Sequence, residues 1–182
     1  MNATPTQSKM TSIVGGVTRG VVDLFNKGLL HGSILDYGSG RCDRNGAYLR
    51  NKGLFVYSYD PFWGVAENGY EGVSDRLPND SFDVGFSSYV INVVNEQEED
   101  DIIREMNDRC QIQYHIVRNK DVEKMIQMKF YKDKVNNKEK IEIKDLARHG
   151  IETTRGFQRV PYLENKGFEL IHKEYGFKIY KK

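Results

Sequence analysis

Ile34-Leu35-Asp36-Tyr37-Gly38-Ser39-Gly40-Arg41-Cys42-Asp43 runs from a short apolar strand into a glycine turn and on into a helix-forming segment. A second apolar run, Phe55-Val56-Tyr57-Ser58-Tyr59, ends on the carboxylate of Asp60. Together they read as a βαβ unit of the nucleoside-binding kind. Backbone at the glycines approaches one part of a ligand, and Asp60 stands where it accepts hydrogen bonds from ribose hydroxyls. A dinucleotide fingerprint needs a third glycine at position 43, where a pyrophosphate sits over a helix N-terminus. Position 43 is Asp43, whose charge opposes a pyrophosphate. The chain also has no G-x-x-x-x-G-K-S/T loop, so a P-loop phosphate site is excluded.

The order Asp36-x-Gly38-x-Gly40-x-Cys42 resembles motif I of the class I S-adenosylmethionine-dependent methyltransferases, with Cys42 standing where the last glycine usually lies. Leu77-Pro78-Asn79-Asp80-Ser81-Phe82-Asp83-Val84 is similar to that family's approach to its fourth strand, and the three elements keep the family's order and spacing. The resemblance implies S-adenosylmethionine as cofactor, with S-adenosylhomocysteine (SAH) as its product. It also implies that Asp36, Gly38 and Gly40 line the methionine half, that Asp60 holds the ribose, and that the ring of Phe62 or Trp63 flanks the adenine. Asp75 takes the adenine edge, and the end of strand four, from Ser87, faces the methyl group. Each has a plainer structural reading: Asp36 caps the turn, and Phe62 or Trp63 is ordinary core. A closer likeness, carried by Asp36–Arg41 and Tyr89–Val94, is to a subset associated with phages and DNA phosphorothioation islands.

A chain of 182 residues fits one domain with a substantial core. Its net charge of +1 gives no global pull toward nucleic acid or membrane. No apolar run approaches the ~20 residues of a membrane span, and the start lacks a signal-peptide apolar region. Cys42 and Cys110 have neither metal-ligand spacing nor a disulfide-rich setting, so no metal site is expected, and the expected location is the cytoplasm.

The expected fold class is α/β: a Rossmann-like methyltransferase fold with a mostly parallel seven-stranded sheet, an antiparallel C-terminal strand pair and helices on both faces. A helix is expected within Val14–Leu30, strands at Ser33–Tyr37 and Leu54–Tyr59, and a helix at Arg44–Asn51. Gly72–Ser74 is a short third strand and Phe82–Ser87 the fourth. An acidic-faced helix spans Glu96–Arg109 and ends near Cys110, and Gln111–Val117 alternates as strand five. Phe168–Tyr175 and Phe177–Tyr180 close the sheet. Residues 1–182 are expected as one domain, with a Lys-rich insertion at 119–162 between strands five and six. That insertion reads either as a solvated helical segment or as an acceptor-binding lid.

Strand four ends without the Pro-Pro-aromatic motif of DNA amino-methyltransferases and without a Pro-Cys nucleophile, which argues against methylation of DNA bases. His115 alternates with the apolar residues of strand five and reads as structural. No side chain is singled out as catalytic. The expected function is methyl transfer from S-adenosylmethionine to an acceptor the sequence does not identify, with a small molecule favoured over nucleic acid. Two alternatives stay open: a cofactor-binding interaction or inhibitor protein without catalysis, and an RNA methyltransferase that uses the basic insertion.

Overall fold

β1 (Ser33–Tyr37) is buried along almost its whole length, as a strand covered on both faces must be. Its pleat sends Ile34 into one apolar layer and Leu35 and Tyr37 into the other. In the computed structural model, which describes residues 15–120, 122–125, 128, 150–153 and 156–182, these two layers hold the helices. The first layer contains Val21 and Leu24 of α1 (Arg19–Asn26) and Leu49 of α2 (Arg44–Asn51). The second contains Ile102 and Met106 of α3 (Glu96–Asn107).

The remaining strands are β2 (Phe55–Tyr59), β3 (Val73–Ser74), β4 (Phe82–Ser88), β5 (Cys110–Arg118), β8 (Glu169–Lys173) and β9 (Phe177–Lys181), in the order β3-β2-β1-β4-β5-β9-β8. β1 to β5 run parallel, while β9 is antiparallel to both β5 and β8. The chain order reverses between β1 and β4, which opens a crevice at their carboxyl ends. Register aligns those ends: Tyr37 lies opposite Tyr59 on β2 and Ser87 on β4. The loops that follow, beginning at Gly38, Asp60 and Tyr89, therefore meet at one edge.

Several boundaries differ from the sequence reading. α1 begins only at Arg19, after extended Thr18, with Gly15 and Gly16 outside it; Val14 lies outside the described residues. Cys110 opens β5 instead of closing α3, because it pairs with Phe82 and packs under Gly85. Within the expected insertion, residues 122–125 are helical as expected, whereas β6 (Ile151–Thr153) and β7 (Gly156–Gln158) pair as a two-stranded antiparallel sheet. Most of the insertion's lysines, from Lys129 to Lys144, lie outside the described residues, as do Arg148, His149 and Arg155.

Arg159, counted among the bases of that insertion, is 2 % exposed and paired with Glu99 of α3, itself 3 % exposed. Its Nε also donates to Ile91 O, and its backbone N–H to Asn92 O at 2.9 Å. Lys166 joins the same carboxylate at 2.5 Å. This cluster fastens the chain after β7 onto the turn between β4 and α3. No helix among the described residues is long and apolar enough to cross a membrane. Glu99→Ala removes the close carboxylate from a buried guanidinium, which keeps Glu96 at 4.0 Å, so denaturant titration should show a loss of about 3 kcal/mol. Asp101→Ala, which breaks the exposed pair with Arg104, should cost less than ~1 kcal/mol. Equal costs would contradict the clamp.

Candidate functional site

A cavity of about 740 Å³ lies across the carboxyl edge of β2, β1, β4 and β5. Its floor is the glycine loop. Gly38 N–H and Ser39 N–H both donate to Tyr59 O, at 2.8 and 3.0 Å, which bends the chain sharply off β1. Gly38 has φ 75° and Gly40 φ 71°. At Gly38 a Cβ would also collide with Val90, so the backbone itself forms the wall there. Asp60 ties this loop to the next one. Its Oδ2 accepts Gly40 N–H at 2.9 Å, and its Oδ1 accepts Phe62 N–H at 2.9 Å and Trp63 N–H at 3.0 Å. Burial raises the Asp60 pKa, and these three N–H groups hold it down.

Of the residues expected at the site, Gly38, Gly40, Asp60 and Phe62 line the cavity; Asp36, Asp75 and Ser87 do not. Asp36 is fully buried on the α2 side of β1, and neither carboxylate oxygen has a hydrogen-bond partner among the described residues. Desolvation raises its pKa well above the usual carboxylate range. The charges of Asp43 and Asp60 add to that, while the charge of Arg50 and the dipole of the nearby Gly46 N–H oppose it. Asp75 sits outside, its side chain 57 % exposed and 4.0 Å from Arg76. Ser87 is buried beneath the wall, with its Oγ 2.7 Å from His115 Nδ1.

His115 Nε2 lies 3.0 Å from Gln113 Oε1, an atom that only accepts. The proton is therefore on Nε2, and Ser87 O–H donates to Nδ1. Burial, followed by the charge of Lys182, lowers the His115 pKa to about 3. Ser87 and His115 thus form a neutral buried pair that supports the end of β4.

Other groups at the site escaped sequence reading. Glu98, Asp101, Ile102 and Glu105 line the cavity, and their spacing is that of one helix face. Acids at that spacing look the same on a solvated face, so the pattern gave no warning. Tyr37 O–H donates to Glu105 Oε2 at 2.6 Å, and burial raises the tyrosine pKa. Gly15 to Arg19 close one side, where Thr18 Oγ1 accepts from Ser88 Oγ at 3.0 Å and Thr18 N–H donates to Asn45 Oδ1. Arg41 stacks on Trp63, 5.6 Å from the ring centre. Asn92, Arg118 and Gln158 form the far end.

Asp43 takes φ 46° where a dinucleotide fold has glycine, and it turns its carboxylate to Arg50 and Ser58 Oγ. The close-approach glycine is Gly46, where a Cβ would collide with Ser58 and Asp43. α2 therefore packs on β2 three residues later than the dinucleotide pattern places its glycine.

No protein-family model and no curated protein matches the sequence. Solved structures do. A structure associated with conversion of a disulfide bond into a thioacetal group during echinomycin biosynthesis aligns with a TM-score of 0.59 at 14 % identity, covering 94 % of this chain and 84 % of that one. Magnesium protoporphyrin IX methyltransferase (ChlM) from Synechocystis PCC 6803, with bound SAH, aligns at 0.57 and 12 %, covering 97 % and 82 %. The glycopeptide N-methyltransferase MtfA aligns at 0.56 and 12 %, covering 92 % and 96 %. Identities this low establish shared architecture: the chain has the Rossmann-like fold of class I methyltransferases.

His115 gives the site a pH signature. In the unfolded chain it takes a proton near 6.5, but the folded chain resists until about 3. Between those values the unfolded state binds the extra proton. Stability should fall as pH drops through that window, by at most about 1.4 kcal/mol per unit. His115→Asn should flatten that part of the stability profile in denaturant titrations; an unchanged slope would contradict a neutral His115.

Proposed function

We propose that this chain is an S-adenosylmethionine-dependent methyltransferase acting on a small molecule, and that residues 1–182 work as one such domain with 119–162 inserted. The observation that carries the reading is the pairing of the bare glycine loop with Asp60 on one wall of a cavity at the strand-order reversal. Such a crevice is where this class of sheet binds ligands.

The residues present fit the cofactor. Gly38 and Gly40 line the cavity and carry no side chain, so a ligand can lie against backbone there. Ser39 Oγ, also on the wall, is buried without a partner among the described residues. Asp60 Oδ1 already accepts two N–H groups, whereas Oδ2 accepts one, which leaves it capacity for a ribose hydroxyl. Phe62, Trp63, Val90 and Ile102 supply apolar wall for a base. Asp36, buried and unpaired behind the loop, complements the cationic end of the cofactor. When bound, the cofactor supplies an electrophilic methyl group, and its sulfur departs with the electron pair.

The protein's part is alignment. Holding donor and acceptor in line supplies much of the rate of such a transfer without any acid or base. The cavity runs on past β4 to β5, beyond the walls assigned to the cofactor, and that remainder favours an enzyme over a binding module. The closer likeness to a phage- and phosphorothioation-associated subset gains no support from the similar structures and plays no part here.

Two measurements test the reading. Asp60→Ala should weaken SAH binding at least about tenfold in isothermal titration; parent-like affinity would remove Asp60 from the ribose site. Burial raises the Asp36 pKa and a bound cationic cofactor would lower it, so binding should favour the charged carboxylate and affinity should rise with pH. Titrations in buffers of different ionisation enthalpy should then show proton release in the parent and none in Asp36→Asn. Equal release in both would assign the proton elsewhere.

A further inference from the structure

Gln158 is the last residue of β7, 5 % exposed, and it lines the cavity at the end away from Asp60. Its Oε1 is buried and has no hydrogen-bond partner among the described residues. An amide oxygen taken out of water and left unpaired is unfavourable, so its retention on the wall of a cavity marks a place where a ligand completes the bond.

Its surroundings are built with care. On the residue after it, Arg159 N–H donates to Asn92 O at 2.9 Å, and Asn92 Nδ2 returns a bond to Arg159 O at 2.8 Å. Asn92 Oδ1 in turn accepts Arg118 N–H at 2.7 Å. The Arg159–Glu99 pair fixes the same stretch to α3. Gln158 is thereby held beside the carboxyl end of β5, two strands and roughly 10 Å along the sheet from the glycine loop.

Building on the methyltransferase reading, we propose that Gln158 is the acceptor-binding residue, and that its side-chain oxygen accepts the N–H of an uncharged amine on the molecule to be methylated. The chemistry selects an amine. A carboxamide oxygen accepts a hydrogen bond but takes no proton, so the group it orients must attack without losing one first. A neutral amine nitrogen does so: its lone pair forms the new bond to carbon, the sulfur keeps the electrons of the bond that breaks, and the nitrogen becomes an ammonium. Its N–H bond to Gln158 strengthens as that charge develops, and the proton then passes to water. An alcohol would need a base as well.

The test uses the full chain saturated with SAH and small aromatic probes that differ in their donor group. By ligand-observed NMR titration, aniline should bind at least about tenfold more tightly than toluene or N,N-dimethylaniline, which offer no N–H. Gln158→Leu should abolish that preference while SAH still binds, and Gln158→Glu, which keeps an accepting oxygen, should retain it. A parent that does not discriminate, a Leu variant that still does, or a parent that binds no probe would overturn the assignment and leave the cofactor reading intact. An absence of SAH binding to the parent would overturn both.

Discussion

Asp60 accepts three backbone N–H groups, one from the glycine loop and two from the turn after β2, and the shape of the cavity follows from that. Charge-assisted bonds of this kind are roughly twice as strong as neutral ones. They hold two loops that leave adjacent parallel strands, and neither loop has regular structure of its own. With Gly38 and Ser39 also bonded to Tyr59 O, the floor and one wall form a single hydrogen-bonded unit. The group assigned to the ribose in the proposed function is therefore also the group that shapes the pocket.

The sheet supplies the second constraint. Parallel pairing in register brings the ends of β1, β2 and β4 to one level, and the reversal of strand order parts the loops above β1 from those above β4. The pleat of β1 then sorts its neighbours. Asp36 falls on the α2 side, among Asp43, Arg50 and Gly46, whereas Tyr37 falls on the α3 side and meets Glu105. Two adjacent residues of one motif thus end up in different electrostatic surroundings. One is an unpaired acid in a desolvated layer; the other is a donor fixed to a carboxylate on the cavity wall.

At the opposite end the cavity depends on a buried ion pair. Arg159 and Glu99 are 60 residues apart in sequence, and their contact presses the chain after β7 onto the β4–α3 turn. A buried pair of this kind adds little stability over an apolar alternative, but it fixes geometry, because either charge alone would be costly to bury. The Asn92 bonds repeat that fixing with backbone partners. The two ends of the cavity are accordingly held by different means, one by loop hydrogen bonds and the other by a long-range clamp.

The βαβ unit was legible in the sequence because its information is local. Apolar runs give strands, Gly38 and Gly40 occupy backbone angles that other residues avoid, and Asp60 follows the second run directly. The seven-stranded sheet with its antiparallel end followed from the same kind of alternation. Long-range packing decided the rest. Asp75 stands two residues before the Leu77-Pro78 pair, yet its side chain points to solvent, and Ser87 turns beneath the cavity wall to His115 because the pleat of β4 alternates sides. The acids of α3 have the spacing of any solvated face, and only the packing of that helix beside the crevice makes them a wall. Gln158 carries no motif at all; the Arg159–Glu99 contact brings it to the cavity. Local backbone preference wrote the glycine-loop half of the cavity into the sequence, while charges and pleats meeting across the fold built the other half.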